Sequence, residues 1–494
     1  MGFSVSAATA VLLVGFFITI SIFSGALLPA IREFNQQYHS MKSRAVEQRH
    51  SSVAITNVSN VSWWNADWAY RKLLCINHDY IDEPLQNFPI LVSIVESDLA
   101  YVAYENGGDI AFVHSNNQLQ FSHEIEYFDS GTNTLIAWVN VTEMHSNKDT
   151  WFFMYYGAPT AANQQDKHGT WDSHYKAVWH MYGSIEDSTM YGNQGSKKAR
   201  SEPNEGLGKI GNAQFFDGVD DYINCGNDDS LVFSDPIEGD TPLTIEAYIK
   251  FDTYEGRQSI LSKWDETTGN QKREFYLFLN EGLLVFRVYQ ESTDQSLIFQ
   301  SSTSLASLPD YDAFNHYVIV YDGLANDDSV KMYRNSVSLE VSDPVGISNY
   351  IQMEDTDVVF YMGQLIDRHG APEFHFMGGL DEVRLSDTIR NESWIKASYA
   401  SMHNPSEFLF VEKQQNRLQH TYLNITVKNT GAQTFRTSVC SLLINGTFYP
   451  FVYLQPFVYP KTTATILVNV SIQGNKTSKL VLDSGRASYF TYYP

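Results

Sequence analysis

KLLCIN (Lys72–Asn77), FPILVSI (Phe88–Ile94), DIAFVHS (Asp109–Ser115), SHEIEYF (Ser122–Phe128), TLIAWVNV (Thr134–Val141) and TWFFMYYG (Thr150–Gly157) follow one another within about ninety residues. Each is a short apolar or alternating run, and the intervals between them hold turn residues. Alternation places successive side chains on opposite faces of a strand, so this spacing predicts an antiparallel β-sandwich. The composition agrees: aromatic residues make up 14% of the 494-residue chain, with 30 Tyr and 30 Phe, and aromatic side chains suit strands. The Trp residues here are expected to fill the core.

Working outward, residues 163–174 are polar and read as a linker. A second β-rich block then runs to about residue 405. Its strands include TIEAYIKF (Thr244–Phe251), EFYLFLN (Glu274–Asn280), LLVFRVY (Leu283–Tyr289), HYVIVYDG (His316–Gly323) and DVVFYMGQ (Asp357–Gln364). About 230 residues of this pattern suit one two-sheet jelly roll. Beyond it, YLNITVKNTG (Tyr422–Gly431), SVCSLLINGTFY (Ser438–Tyr449), TATILVNVSI (Thr463–Ile472) and KLVLDSG (Lys479–Gly485) predict a smaller sandwich, with a hairpin at Asn445–Gly446.

The start of the chain is different. Ser4–Ala30, SVSAATAVLLVGFFITISIFSGALLPA, contains no charged side chain. At ~1.5 Å per residue it would make a helix of about 40 Å, beyond the ~30 Å of a bilayer core. It reads as a retained transmembrane helix continuing into a stalk, and its small residues four apart (Ser4 and Ala8, Ser21 and Gly25) would let another helix approach. Eight Asn-x-Ser/Thr sequons, at Asn57, Asn60, Asn140, Asn391, Asn424, Asn445, Asn469 and Asn475, mark glycosylation candidates. Six of them cluster in 53–62 and 411–494, which places the chain after about residue 50 outside the cell. A formal net charge of −24 argues against nucleic acid as a partner. The three cysteines build neither a disulfide framework nor a Cys/His metal spacing.

Three resemblances add to this. Trp68, Tyr70, Arg71 and Lys72 (W-x-Y-R-K), Asn87–Pro89, Gly108–Val113, Ala137–Val139 and Tyr155–Gly157 together resemble a domain family of unknown function found in bacterial and archaeal surface proteins. That resemblance implies no activity. FDGVDDYI (Phe216–Ile223), TIEAYIK (Thr244–Lys250), GGLDEVRLS (Gly378–Ser386) and the opening stretch His180–Asn193 look like the concanavalin A-like, laminin-G-type lectin/glucanase superfamily. Many members bind glycans or proteins, and some hold calcium. The resemblance implies Asp187, Asn193 and Asp381 as calcium ligands; Asp217, Asp220 and Asp221 read instead as turn residues. The apolar start, VAITNVS (Val53–Ser59) and LNITVKNTG (Leu423–Gly431) together resemble the archaeal FlaF/FlaG-type archaellum stator proteins. In that family a membrane helix runs directly into an external β-sandwich that binds surface-layer protein. The two middle domains would be an insertion after the first strand, and 53–62 would pair with the sheet of the tail. No Lys or Arg precedes Phe3, which suits stator members rather than leader-bearing filament pilins.

Catalytic signals are sparse. Retaining glucanases place two carboxylates ~5 Å apart, and this superfamily does so with an E-x-D-x-x-E strand. No such run occurs. Glu124 and Glu126 are two apart but belong to the preceding domain, and Asp381 and Glu382, being adjacent, are expected on opposite faces of their strand. No HExxH, G-x-S-x-G or P-loop motif is present either. Trp264 and Tyr289 are the aromatic residues considered for glycan stacking, with nothing in the sequence to single them out.

The resulting expectation is a mainly β chain with an N-terminal transmembrane helix and three β-sandwich or jelly-roll domains: 1–52 helix and stalk, 53–62 plus 408–494 split pilin-like sandwich, 63–162 sandwich of unknown function, and 163–407 jelly roll. It would be a single-pass, non-enzymatic archaeal surface protein, its bulk extracellular. Its partners would be surface glycans or the S-layer, and archaellum or pilus subunits through the helix. The alternatives are a filament-forming adhesive subunit and a surface glycoside hydrolase.

Overall fold

In the strand Leu243–Phe251, alternation sends Ile245, Ala247, Ile249 and Phe251 into the jelly-roll core. Thr244, Glu246 and Tyr248 point the other way, yet they are just as buried, at 2%, 4% and 1% exposure. A sheet face that sequence alone would assign to solvent is therefore covered. That coverage organises the larger part of the molecule.

The architecture is that of a computed structural model describing residues 53–346, 349–417, 420–430, 435–436, 440–444, 447–449, 452–453, 457–458, 461–471, 476–482 and 487–492. The helix expected over Ser4–Ala30 and its stalk lie outside the described residues. Among the described residues, no helix is long and apolar enough to cross a membrane. The chain forms two compact units, one of residues 62–417 and one joining the segments before 62 and after 417.

In the larger unit, the jelly roll has an eight-stranded sheet centred on Met377–Ser386, Leu243–Phe251 and Asn315–Tyr321. Its nine-stranded partner is built around Arg257–Asp265, Lys272–Asn280 and Leu283–Gln290. The first sandwich packs Tyr70–Ile76, Thr150–Tyr156 and Ala111–His114 against a three-stranded sheet of Leu85–Val95, Thr134–Met144 and His123–Asp129. Its core runs on without a break into Tyr175, Val178 and Tyr248 of the jelly roll and into the helix Glu392–His403. Glu246, Glu382 and Arg384, charged groups sealed at this junction, are paired with one another, as burial of charge requires. Arg384 donates to Glu382 Oε2 (2.8 Å), reaches Glu246 Oε1 (3.5 Å) and stacks over Trp138 at 4.3 Å and Trp171 at 5.0 Å. Glu246 also accepts from His316 Nε2 (2.8 Å) and from Ser398.

The residues that matched the family of unknown function hold this sandwich together. Asp109, fully buried, accepts the backbone N–H groups of Ala103, Tyr104, Gly157 and Ala158. Gly157 has φ +79, and a Cβ there would stand 2.6 Å from the Tyr70 ring, so neither the turn nor the packing admits a side chain. Arg71 is buried between the Trp63 and Phe153 rings and donates to Gln415 Oε1 at 2.6 Å. Lys72 pairs with Glu96 and Asp98, each at 2.8 Å.

In the smaller unit, Val53–Asn60 pairs antiparallel with His420–Asn429, which pairs with Thr463–Ser471. Ile425, Val427, Ile466 and Val468 are buried on one face. Register pairs Asn57 with Thr426 and Asn469 with Tyr422.

Three sequence expectations change. Residues 163–174 are not a free linker: Gln164 N and Asp166 N donate to Gly108 O and His123 O, Gln165 Oε1 accepts Ile125 N, and Trp171 is 4% exposed. The backbone of Gln164 and Asp166 and the side chain of Gln165 satisfy backbone groups of the first sandwich, which composition cannot distinguish from solvation. Leu409–Val411 and Gln415–Asn416, assigned to the tail, pair with Tyr70–Ile76 of the first sandwich. The stretch Glu392–His403, read within a β-rich block, is an α-helix capped by Asn391 Oδ1 on Trp394 N (2.9 Å).

Asp109→Ala is expected to lower unfolding free energy by several kcal/mol, since four backbone donors lose a charged acceptor; urea denaturation measures this. The Arg384 charge, with the His316 and Ser398 hydrogen bonds, outweighs the burial of Glu246 and holds its carboxyl at about 2, below the usual 4.5. The resulting stability is present above pH 4.5 and lost as pH falls through 4.5 towards 2. The loss is on the order of 3 kcal/mol, and Glu246→Gln should flatten that slope.

Candidate functional site

His180 follows the strand Tyr175–Trp179 and sits where the two sandwiches of the larger unit meet. Its Nδ1 lies 2.8 Å from Glu382 Oε1 and 3.6 Å from Glu126 Oε2, and its Nε2 lies 2.9 Å from Glu124 Oε1. The ring stacks on Trp138 with an interplanar angle of 17°. Glu124 and Glu126 come from His123–Asp129 of the first sandwich, and Glu382 from Met377–Ser386 of the jelly roll.

Two bulges create this convergence. Register shifts between Ile125 and Tyr127 on one strand, and opposite Glu246–Tyr248 on the other, where Glu382 has φ +50. A bulged residue breaks strict alternation. Asp381 and Glu382 therefore do not take opposite faces as expected: Leu380 and Val383 both enter the jelly-roll core, and the two acids between them turn towards the first sandwich.

Each carboxylate is oriented by a donor outside the cluster. Trp171 Nε1 donates to Glu124 Oε1 (2.6 Å), Trp138 Nε1 to Glu126 Oε2 (3.0 Å) and Arg384 to Glu382 Oε2 (2.8 Å). Glu126 Oε1 is buried and has no hydrogen-bond partner. Burial, then the Glu382 charge, pushes the Glu126 carboxyl up to about 8. Burial alone would lower His180, but Glu382, Glu124 and Glu126 outweigh it and raise its pKa well above the ordinary value. A cavity of about 250 Å³ opens onto Glu124, Glu126 and His180 and is walled by Gln165, Lys167 and Tyr182. Tyr182 is 39% exposed and meets Tyr127 edge-on.

Of the residues implied as calcium ligands, the structure joins Asp187 to Asn193 and leaves Asp381 in another network. Asp187 accepts from Val178 N, Thr189 N, Thr189 Oγ1 and Asn193 N, so its oxygens are taken up by its own turn and by the strand before it. Asp381 Oδ2 accepts Lys209 N and Ile210 N. Asp217 Oδ1 and Asp221 Oδ2 accept backbone N–H groups of their own turn, as turn formers do. Trp264 and Tyr289 do share a face of the nine-stranded sheet, but at 1% and 3% exposure beneath Arg287 they offer no stacking surface. Among the sequons, Asn391 is exposed, while Asn140 Nδ2, the atom a glycan would take, already donates to Gly169 O. The side chains of Asn57, Asn60, Asn424 and Asn469, and residues Asn445 and Asn475 entirely, lie outside what is described.

Sequence reasoning set Glu124 and Glu126 aside because they precede the jelly roll, and it passed over His180. The available signal was Glu-x-Glu in a half-apolar strand, without any mark of what it would face.

Residues 217–396 match the family model of the concanavalin A-like lectin/glucanases superfamily, and residues 106–222 match that of a domain of unknown function (DUF2341). Neither match reaches the segments that resemble archaellum stator proteins. No curated protein matches the chain. Among solved structures, the binding domain of Paraclostridial Mosquitocidal Protein 1 is similar at 14% identity and TM-score 0.35, covering 63% of this chain and 75% of that one. The Ruminococcus gnavus IT-sialidase CBM40 bound to α2,3-sialyllactose is similar at 19% identity and TM-score 0.26, covering 32% and 82%. Domain 4 of AbnA, a GH43 extracellular arabinanase from Geobacillus stearothermophilus, in complex with arabinotriose, is similar at 15% identity and TM-score 0.30, covering 45% and 96%. The chain thus contains a concanavalin A-like lectin/glucanase-superfamily domain and, before it, a DUF2341 domain.

Proposed function

We propose that this chain is a membrane-anchored surface protein that binds glycans through the cleft where its first sandwich meets its jelly roll. The observation that carries the reading is the cleft itself. Tyr182 presents a partly exposed ring beside Glu124, Glu126, Gln165 and Lys167 in a cavity of about 250 Å³. A flat apolar ring flanked by a few fixed polar groups suits a sugar, whose ring has an apolar face and a hydroxyl rim. The volume falls just below the ~300 Å³ lower bound of drug-sized pockets, which favours a mono- or disaccharide unit. The superfamily, whose members include lectins, supports the same ligand class.

Ser4–Ala30 supplies the anchor in this reading, and the sequon-bearing sandwich would lie outside the cell. The archaellum-like segments make an S-layer or pilus-type machine the neighbour we propose for that sandwich. The reading is non-catalytic: it treats the buried acids as groups that orient one another and the ligand.

Glycan-array binding by the full detergent-solubilised chain tests the ligand. Tyr182→Ala is expected to weaken binding about tenfold, ~1.4 kcal/mol, and absence of binding to every glycan and surface-layer preparation would remove the proposal. Release of reducing sugar from a bound polysaccharide would make the protein a hydrolase instead. Mechanical shear of cells should leave the chain in the membrane fraction; co-purification with sheared filaments would favour the adhesive-subunit alternative.

A further inference from the structure

We propose that Glu126, His180 and Glu382 form a binding site for a first-row divalent transition-metal ion at the base of the interdomain cleft. The inference does not depend on glycan binding. The three residues each offer one ligand atom, all within 4.8 Å of one another. Donors ~2.0–2.1 Å from a tetrahedral zinc stand ~3.3 Å apart. The 2.8 Å and 3.6 Å separations of His180 Nδ1 from Glu382 Oε1 and Glu126 Oε2 bracket that spacing.

A second observation points to a ligand. The Glu126 side chain is 3% exposed, and its Oε1 is buried without a hydrogen-bond partner. A buried carboxyl oxygen left without a partner is costly, and a bound cation would satisfy it. The surroundings supply the outer contacts that metal ligands require. Glu124 takes the Nε2 side of His180, which leaves Nδ1 facing Glu382 and Glu126. Trp138 Nε1 donates to Glu126 Oε2, the oxygen that faces His180 Nδ1, and Arg384 holds the second oxygen of Glu382. Glu124 is in turn fixed by Trp171.

The donor set selects the ion class. Imidazole with two carboxylates suits zinc, manganese or iron, whereas calcium takes six to eight oxygens. Three protein ligands leave a tetrahedral ion one open position, and the cavity reaches both Glu126 and His180. Because the ligands come from both domains, a bound ion would also clamp the junction.

The test is isothermal titration of Zn²⁺ into the untagged full chain after removal of metal with a chelator, alongside Mn²⁺ and Ca²⁺. One equivalent of Zn²⁺ is expected to bind. Glu126→Gln and His180→Asn should each weaken binding at least a hundredfold, and Glu124→Gln tenfold to a hundredfold through loss of imidazole orientation. The distant variant His145→Ala should bind as the parent does. Since a variant may misfold, the parent's Co²⁺ derivative provides a second reading: a visible spectrum of tetrahedral nitrogen/oxygen coordination is expected. Absence of stoichiometric binding, binding unchanged in the folded variants, or a response to Ca²⁺ alone would overturn the site. None of these readings involves a glycan, so failure here and failure of glycan binding remain separable.

Discussion

The larger unit depends on covering a sheet face that carries charge. The jelly roll directs Glu246, Glu382 and Arg384 away from its own core, and the first sandwich closes over them. Desolvating these groups is tolerable only because each meets a counter-charge or a donor. Arg384 is the hub: one guanidinium serves two carboxylates while its faces rest on Trp138 and Trp171. A planar cation can do this where a lysine could not. Apolar packing around the network supplies the driving force, and the ion pairs fix which surfaces may meet.

The candidate site grows out of the same constraint. Once Arg384 compensates Glu246 and part of Glu382, the remaining acids, Glu124 and Glu126, converge on His180. Carboxylates thus outnumber cations at the edge of the junction, and one oxygen of Glu126 remains unmatched. Proteins rarely leave a buried polar atom alone without a reason. Placing that imbalance at the base of a cavity, rather than within a closed core, is what makes it chemically accessible.

The motifs shared with the family of unknown function take on a structural meaning. Asp109 gathers four backbone donors, Gly157 makes room for Tyr70, and Arg71 is clasped between aromatic rings. These residues build the scaffold that presents Glu124 and Glu126 on its other sheet, and they touch no part of the cleft.

Short apolar or alternating runs such as KLLCIN and TIEAYIKF determined the β-sandwich class, because such runs are a property of a single chain segment. Turn chemistry likewise marks Asp217–Asp221 as a turn. The helix at Glu392 had its Asn cap in plain view, but a helical stripe inside a strand-rich block was overlooked. What only the tertiary structure decided were events between segments: the bulge that turns Asp381 and Glu382 to one side, the packing of residues 163–174, and the return of Leu409–Asn416 to the first sandwich. The meeting of Glu126 with His180 and Glu382 belongs to the same class. These residues lie far apart in sequence, and no local pattern encodes which face of one sheet another will cover.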